Sequence, residues 1–310
     1  MIPWDLQRLR ILRELAERRT LAAVADSLGY SPSAISQQLS VLEKEAGTPL
    51  LQRAGRGVTL TDAGRVLADH ADQLLAAADA ARADLAALSG DVRGIVRAGG
   101  LQSALRYLLI PTLAALSPEH PGIRLELTEI ELESALPELR LGALDLVVSD
   151  EYATQPRPRL AGIRREVLLE EPLVVVLPSA HPRSRGRGPV NLTSLRDDVW
   201  VASASGTGHH ARVLAACRDL GGFEPELRHR SNDADLQLEF VRRTGAVALM
   251  PRLTVPRDDP TLAVRRVADG DVTRSLILLT REYPTSGALA HVLKSIRAQA
   301  RTLATRRGGG

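Results

Sequence analysis

LAAVADSLGYSPSAISQQLS, residues 21–40, decides how the rest of the 310-residue chain is read. Leu21, Ala22, Ala25 and Leu28 recur at three- and four-residue steps, the spacing of a helix with one apolar face. Gly29 ends that helix, because glycine accepts the left-handed backbone that a tight turn needs. Ser31 before Pro32 starts another: the hydroxyl caps free amides, and proline suits the first helical position. In this second helix Ile35, Leu39 and Leu42 form the inward stripe, which leaves Ser33, Ser36, Gln37 and Ser40 outward.

That outward face is unusual. A face selected for solubility would be rich in Glu and Lys, whereas Glu43 and Lys44 come only at its far end. Short hydroxyls and amides are what base edges and phosphate oxygens require, since they donate and accept without a charge partner. A small helical pair with a serine-rich surface fits the same spacing. The next segment decides between them. Thr48–Arg53 reads as a short apolar strand, Ala54-Gly55-Arg56-Gly57 as a glycine-rich turn with arginines at its edges, and Val58–Thr61 as a return strand. A basic hairpin beside a helix-turn-helix is a wing, suited to the DNA backbone or minor groove. The DNA-facing candidates are therefore Ser31, Ser33, Ser36, Gln37, Gln38 and Ser40 on the helix, with Arg53 and Arg56 on the wing.

The stretch LAAVADSLGYSPSAISQQLSVLEKEAGTPLLQRAGRGVTLTDAG closely resembles the N-terminal module of LysR-type transcriptional regulators. Their pattern is an Ala-Ala helix, Ser-Ala-hydrophobe-Ser, Leu-Glu, Gly-x-x-Leu-Phe-x-Arg and Leu-Thr-x-Ala-Gly, and most positions match in order and spacing. Leu51 stands in place of the usual phenylalanine, and Ser40 where a basic residue is common.

Composition narrows the alternatives. Hydrophobic residues make up 44% and aromatics 3%, so the core must be aliphatic. The single cysteine, Cys217, excludes an intrachain disulfide and fits a reducing compartment. No segment reads as a secretory signal or reaches membrane-spanning length, so a soluble cytoplasmic protein is expected, with no membrane association. Residues 1–60 hold eight Arg or Lys against six acids. Placement of charge, not its total, therefore carries the nucleic-acid reading.

Residues 5–18 predict an opening helix, with Leu6, Leu9, Leu12 and Leu15 three apart. Thr61-Asp62 opens a long helix to about Leu88, in which Leu67, Ala71, Leu74, Ala78, Ala81, Leu85 and Leu88 follow steps of four and three. That is a heptad seam, which a partner within the chain could cover, but its place between two domains favours self-association through Leu67, Leu74, Ala78, Ala81 and Leu85. Ser89-Gly90 marks a boundary. Beyond it strands and helices alternate in two halves, the pattern of two α/β lobes with a ligand at the carboxyl ends of their strands. The expected division is a winged helix-turn-helix over 1–61, a linker helix over 62–90 and a two-lobed domain over 91–310. Lobe 1 takes 91–150 and 262–303, lobe 2 takes 160–251, and the chain is expected to cross near Ser149–Ala153 and Arg252–Thr261.

The resemblance implies a linker that dimerises the chain, a homotetramer, contact with RNA polymerase, and a periplasmic-binding-protein-like effector domain. HPGIRLELTEI and LRLGALDLVVSD match signatures of that domain, whereas VRRTGAVALMP places Thr244 and Ala246 where glycines are usual. Two loops at helix starts are effector candidates: Gly100, Gln102 and Ser103 in the first half, and Ser203, Ser205, Thr207 and His209 in the second. Free amides and hydroxyls there suit a small anionic ligand, and the resemblance sets the two loops facing across the cleft.

His209-His210 could suggest a metal, but adjacent histidines on a helix diverge and cannot easily share an ion. Cys217 reads as a small buried apolar residue. Neither a nucleophile elbow, a phosphate loop nor paired cysteines occur, so no catalytic role, cofactor or metal is expected. The basic loop His181–Arg187 reads as a solvated surface. The sequence thus points to a DNA-binding transcriptional regulator modulated by an effector. Its rival is a small-molecule-binding protein or enzyme with an N-terminal helical oligomerisation module.

Overall fold

The computed structural model describes residues 4–55, 57–87, 92–152, 160, 162–186, 188–268, 270–282 and 287–305. Local chemistry sets the boundaries of the first helices. Helix α1 (Leu6–Arg18) begins where the Asp5 carboxylate accepts from the Gln7 amide at 2.7 Å. Helix α2 (Leu21–Leu28) is capped by Thr20 and closed by Gly29 at φ 70°. Helix α3 (Pro32–Ala46) starts with the Ser31 hydroxyl accepting from the Ala34 amide at 3.2 Å. Strands β1 (Leu51–Ala54) and β2 (Gly57–Leu60) pair antiparallel as the wing. Helix α4 (Asp62–Ala87) follows. Its Gly64 is required by close approach, since a Cβ there would meet the Leu50 carbonyl oxygen at 2.1 Å.

Leu9, Leu12, Val24, Ile35, Leu39, Leu42 and Leu50 form the core of this module. Two expectations need correction. Leu6 is 45% exposed while Ile11 is buried, because steps of three fall 60° short of a full turn and drift off the buried face. Leu67 and Ala71 also belong to this core. Leu67 is therefore not part of an open seam; only the later positions of the seam face outward.

The second part contains β3 (Gly94–Gly100), α5 (Gln102–Ala104), a π-helical turn at Leu105–Leu109 and α6 (Ile110–Glu119). Then come β4 (Ile123–Glu129), α7 (Leu132–Arg140), β5 (Leu146–Glu151), β6 (Ile163–Pro178) and β7 (Val199–Ala202). The chain continues through α8 (Gly208–Asp219), β8 (Glu226–Arg230), α9 (Ala234–Thr244), β9 (Val247–Pro251), β10 (Leu262–Arg265), β11 (Thr273–Arg281) and α10 (Gly287–Thr305). Among the described residues the strands run β4-β3-β5-β11-β6-β9-β7-β8, with β10 also on β6.

Strand β6 is common to both lobes. Ile163–Pro172 pairs with β11, Leu173–Val176 with β9, and Val175–Pro178 with β10. The lobes therefore meet at Glu171–Leu173 and Val272–Arg274, joined by the Leu173 amide donating to the Val272 carbonyl at 2.7 Å. The crossings expected at Ser149–Ala153 and Arg252–Thr261 are displaced. Ser149–Glu151 stays paired with β11, and Ala153 lies outside the described residues. Residues 262–265 remain in lobe 2 and do not return to lobe 1. Alternation reveals a strand but not its partner. Val96, Leu108, Leu146, Leu278 and Val292 fill lobe 1, and Val175, Trp200, Val213 and Leu249 fill lobe 2.

The winged module rests on lobe 1. Arg13 Nη2 donates to the Leu141 carbonyl at 2.6 Å, Arg18 Nη2 to Glu138 at 3.1 Å, and Arg140 Nη1 to Glu17 at 3.2 Å. Among the described residues no helix is long and apolar enough to cross a membrane.

Candidate functional site

Helix α3 separates two faces sharply. Ile35, Leu39 and Leu42 are at most 1% exposed, while Ser33, Ser36, Gln37, Gln38 and Ser40 are exposed. Three of the helix candidates are engaged within the chain. Ser31 caps the helix and shares a hydrogen bond with the Ser33 hydroxyl at 2.9 Å, and Gln38 Oε1 accepts from Arg8 Nε at 3.1 Å. Ser36, Gln37 and Ser40 present the uncommitted surface. Arg53 is exposed on β1, and Arg56 lies outside the described residues. Tyr30, half exposed just before the cap, was not singled out from the sequence; an aromatic between a helix-stopping glycine and a cap was the available signal.

The second site is the cleft between the lobes. Gln102, Ser103, Ser203, Thr207 and His209 all line it, so the two candidate loops do face one another. Gly100 does not line it: it lies within β3, paired with Val148 and Glu129. Ser205 is exposed and also lies outside the lining. The cleft is bridged. Gln102 Oε1 accepts from the Ala234 amide at 3.1 Å, Asn232 Nδ2 donates to Glu131 at 3.2 Å, and Arg106 pairs with Asp235. Each contact joins lobe 1 to lobe 2, so the lobes stand closed.

His209 is committed to structure. A carbonyl only accepts, so the 2.8 Å contact with the Leu249 oxygen puts the proton on Nε2. Nδ1 then accepts from the Ser203 amide at 3.3 Å and its hydroxyl at 2.9 Å. Burial disfavours the charged ring and pulls its pKa down to about 4. A neutral ring with both nitrogens engaged has no N–H left to offer an anion. Thr207 is likewise a cap: its hydroxyl donates to the Ala204 carbonyl at 2.8 Å and accepts from the His210 amide at 3.2 Å.

The dominant charge in the cleft was not anticipated. Arg274, 3% exposed, lies where β11 leaves the crossing. Its guanidinium donates to Glu171 at 3.0 Å, Asp150 at 3.4 Å and the Ser103 hydroxyl at 3.1 Å. Desolvation alone would lower its pKa, but Glu171, Tyr152 and Asp150 outweigh it and hold the pKa above the ordinary arginine value. The Tyr152 hydroxyl donates to Asp150 at 3.0 Å, and burial raises its own pKa well above that of free tyrosine. In sequence Arg274 reads as one polar position of an alternating strand, because its partners lie 103 and 124 residues away. Gln237 was also missed. It is 3% exposed, it lines the cleft, and its Oε1 has no hydrogen-bond partner among the described residues. A buried acceptor left unmet costs on the order of 1–3 kcal/mol.

Cys217 is fully buried, and burial pushes its thiol up to about 12. Since only the thiolate attacks, native protein should react with a thiol reagent roughly a thousandfold more slowly than urea-unfolded protein. Comparable rates in a spectrophotometric thiol assay would contradict this burial. Among the described residues no group of three or more His, Cys, Asp or Glu is arranged to hold a metal.

Comparison with known proteins finds a counterpart for each of the two parts of the chain. Residues 6–65 match the bacterial regulatory helix-turn-helix protein family, lysR type, and residues 89–301 match the LysR substrate binding domain. A probable hydrogen peroxide-inducible genes activator of Mycobacterium avium is 32% identical over 248 residues, 80% of this chain and 78% of that protein. The transcriptional regulator BudR of Raoultella terrigena is 27% identical over 94% of this chain and 99% of its own length. A full-length OxyR variant from Pseudomonas aeruginosa shares the fold at a TM-score of 0.66, with 20% identity over 96% of this chain and 95% of that one. Because the two matched domains together span nearly the whole sequence in this order, the chain belongs to the LysR family of DNA-binding transcriptional regulators with effector-binding domains.

Proposed function

We propose that Ser33, Ser36, Gln37 and Ser40 read base edges in the major groove, while Arg53 and Arg56 of the wing hold the backbone or minor groove. The observation that carries this reading is the division of α3, whose apolar side is sealed and whose opposite side is hydroxyl and amide without a compensating row of acids. Leu74 and Leu85, 42% and 70% exposed on α4, support pairing with a second copy. Two-fold pairing suits a DNA target of two half-sites. Assembly into a tetramer, contact with RNA polymerase and a cytoplasmic location follow from the same reading. An effector held between the lobes would bias the arrangement of subunits by about 1–3 kcal/mol, the usual size of such coupling.

The peroxide named for the mycobacterial relative is not carried over. This sequence has one cysteine, and its thiol is sealed and protonated.

A gel shift with the DNA upstream of the protein's own coding sequence tests the reading directly. Gln37→Ala should cost roughly 1–3 kcal/mol at one base pair and little on random DNA. Arg53→Ala should weaken binding to every sequence and lower the salt slope by about one. Identical effects of the two changes on specific and random DNA would refute this division of roles.

A further inference from the structure

Taking the interlobe cleft to be the effector site, as the reading above does, we infer that it selects a small cation bearing N–H donors, an ammonium or amidinium, and not a carboxylate. Among the described residues, Glu129, Glu131, Glu133 and Asp150 line the cleft against a single guanidinium, that of Arg274. Arg274 is already engaged: Glu171 lies 2.9 Å from Nη2 and Asp150 3.4 Å from Nη1, and Nη2 also donates to Ser103. An incoming carboxylate would have to displace Glu171, itself 1% exposed, and would meet the glutamates as like charges. A cation meets those same groups as attraction.

The second observation is independent of the charges. Gln237 Nε2 donates to the Ser231 carbonyl at 2.6 Å, which fixes the amide's orientation, because the flipped form would set two oxygens against each other. The same nitrogen reaches the Ser203 hydroxyl at 3.3 Å. Oε1 is left as a buried acceptor without a donor among the described residues. Two hydroxyls that an anion would use are already occupied, since Ser203 is tied to His209 and Thr207 to its own helix cap. An N–H group entering from the ligand completes Gln237, and its charge is met by the carboxylates at the rim.

Calorimetric titration of the full-length protein at low ionic strength tests this with putrescine and agmatine as cationic probes and succinate and benzoate as anionic ones. Expected is saturable binding of a cationic probe, weakening as salt is added and falling about threefold with each of Glu129→Gln and Glu133→Gln. Both glutamates are exposed, and thermal melts of the variants should match the parent. Saturable binding of succinate or benzoate would overturn the inference, as would the absence of binding by either cation or cation binding unchanged in both variants. A gel shift on the same sample keeps the two readings apart. Retained operator binding with no cation binding rejects the ligand class alone, whereas loss of operator binding by the parent rejects the regulator reading.

Discussion

Arg274→Met is expected to destabilise the protein by about 3–5 kcal/mol, the usual cost of removing one partner of a buried ion pair. The reason is what remains behind. Glu171 is 1% exposed, and it also accepts from the Leu253 amide at 2.7 Å, so it cannot swing out to water without releasing the turn after β9. Asp150 loses its cation while still accepting from Tyr152. The pairing itself need not be strongly stabilising, because desolvating both ions offsets most of their attraction. The double variant Arg274→Met/Glu171→Gln should therefore recover much of the loss. Urea midpoints of parent, single and double variants measure both numbers. A single variant within about 1 kcal/mol of the parent, or a double variant worse than the single, would show that Glu171 is not held by Arg274.

Acidification should have an effect of similar size through His209. Its folded-state pKa, about 4, lies below the ordinary histidine value of 6.5. A depressed pKa means that the unfolded chain takes up the proton first. The stability associated with the neutral ring is then fully present above about pH 6.5 and drains away as pH falls toward 4. Over that window the loss is roughly 3 kcal/mol from this one ring. His209→Gln, which keeps a polar group near Ser203 and Leu249, should lower stability at pH 7 but flatten its decline between pH 6.5 and 4. Urea unfolding across that range reads the slope, and parallel curves for parent and variant would contradict the assignment.

The winged module is legible in the sequence because each of its boundaries is local. Ser31, Pro32, Gly29 and Thr20 set helix ends within a few residues of themselves, and the turn of the wing is only a few residues long. The long α4 was equally plain from its periodicity, but not which of its apolar positions would be covered. Leu67 looks like Leu85 on a heptad diagram, and only the packing of the first three helices tells them apart. The lobes were readable as alternating strands and helices, yet β6 was not recognised as a strand of both lobes. Its register is chosen by β11, β9 and β10, all of them 69 or more residues further along. The cleft divides in the same way. Its two helix-start loops were found from glycines and hydroxyls, whereas Arg274, Asp150 and Gln237 acquire meaning only when distant strands meet.

Helix α7 begins and ends on different business. Glu131, Leu132 and Glu133 at its start line the cleft, while Glu138, Arg140 and the following Leu141 grip α1 through Arg18, Glu17 and Arg13. Nine helical residues make a rod about 13 Å long. A guest pressing on the first turn would therefore push on a rod whose other end is held to the N-terminal module, with no slack loop in between.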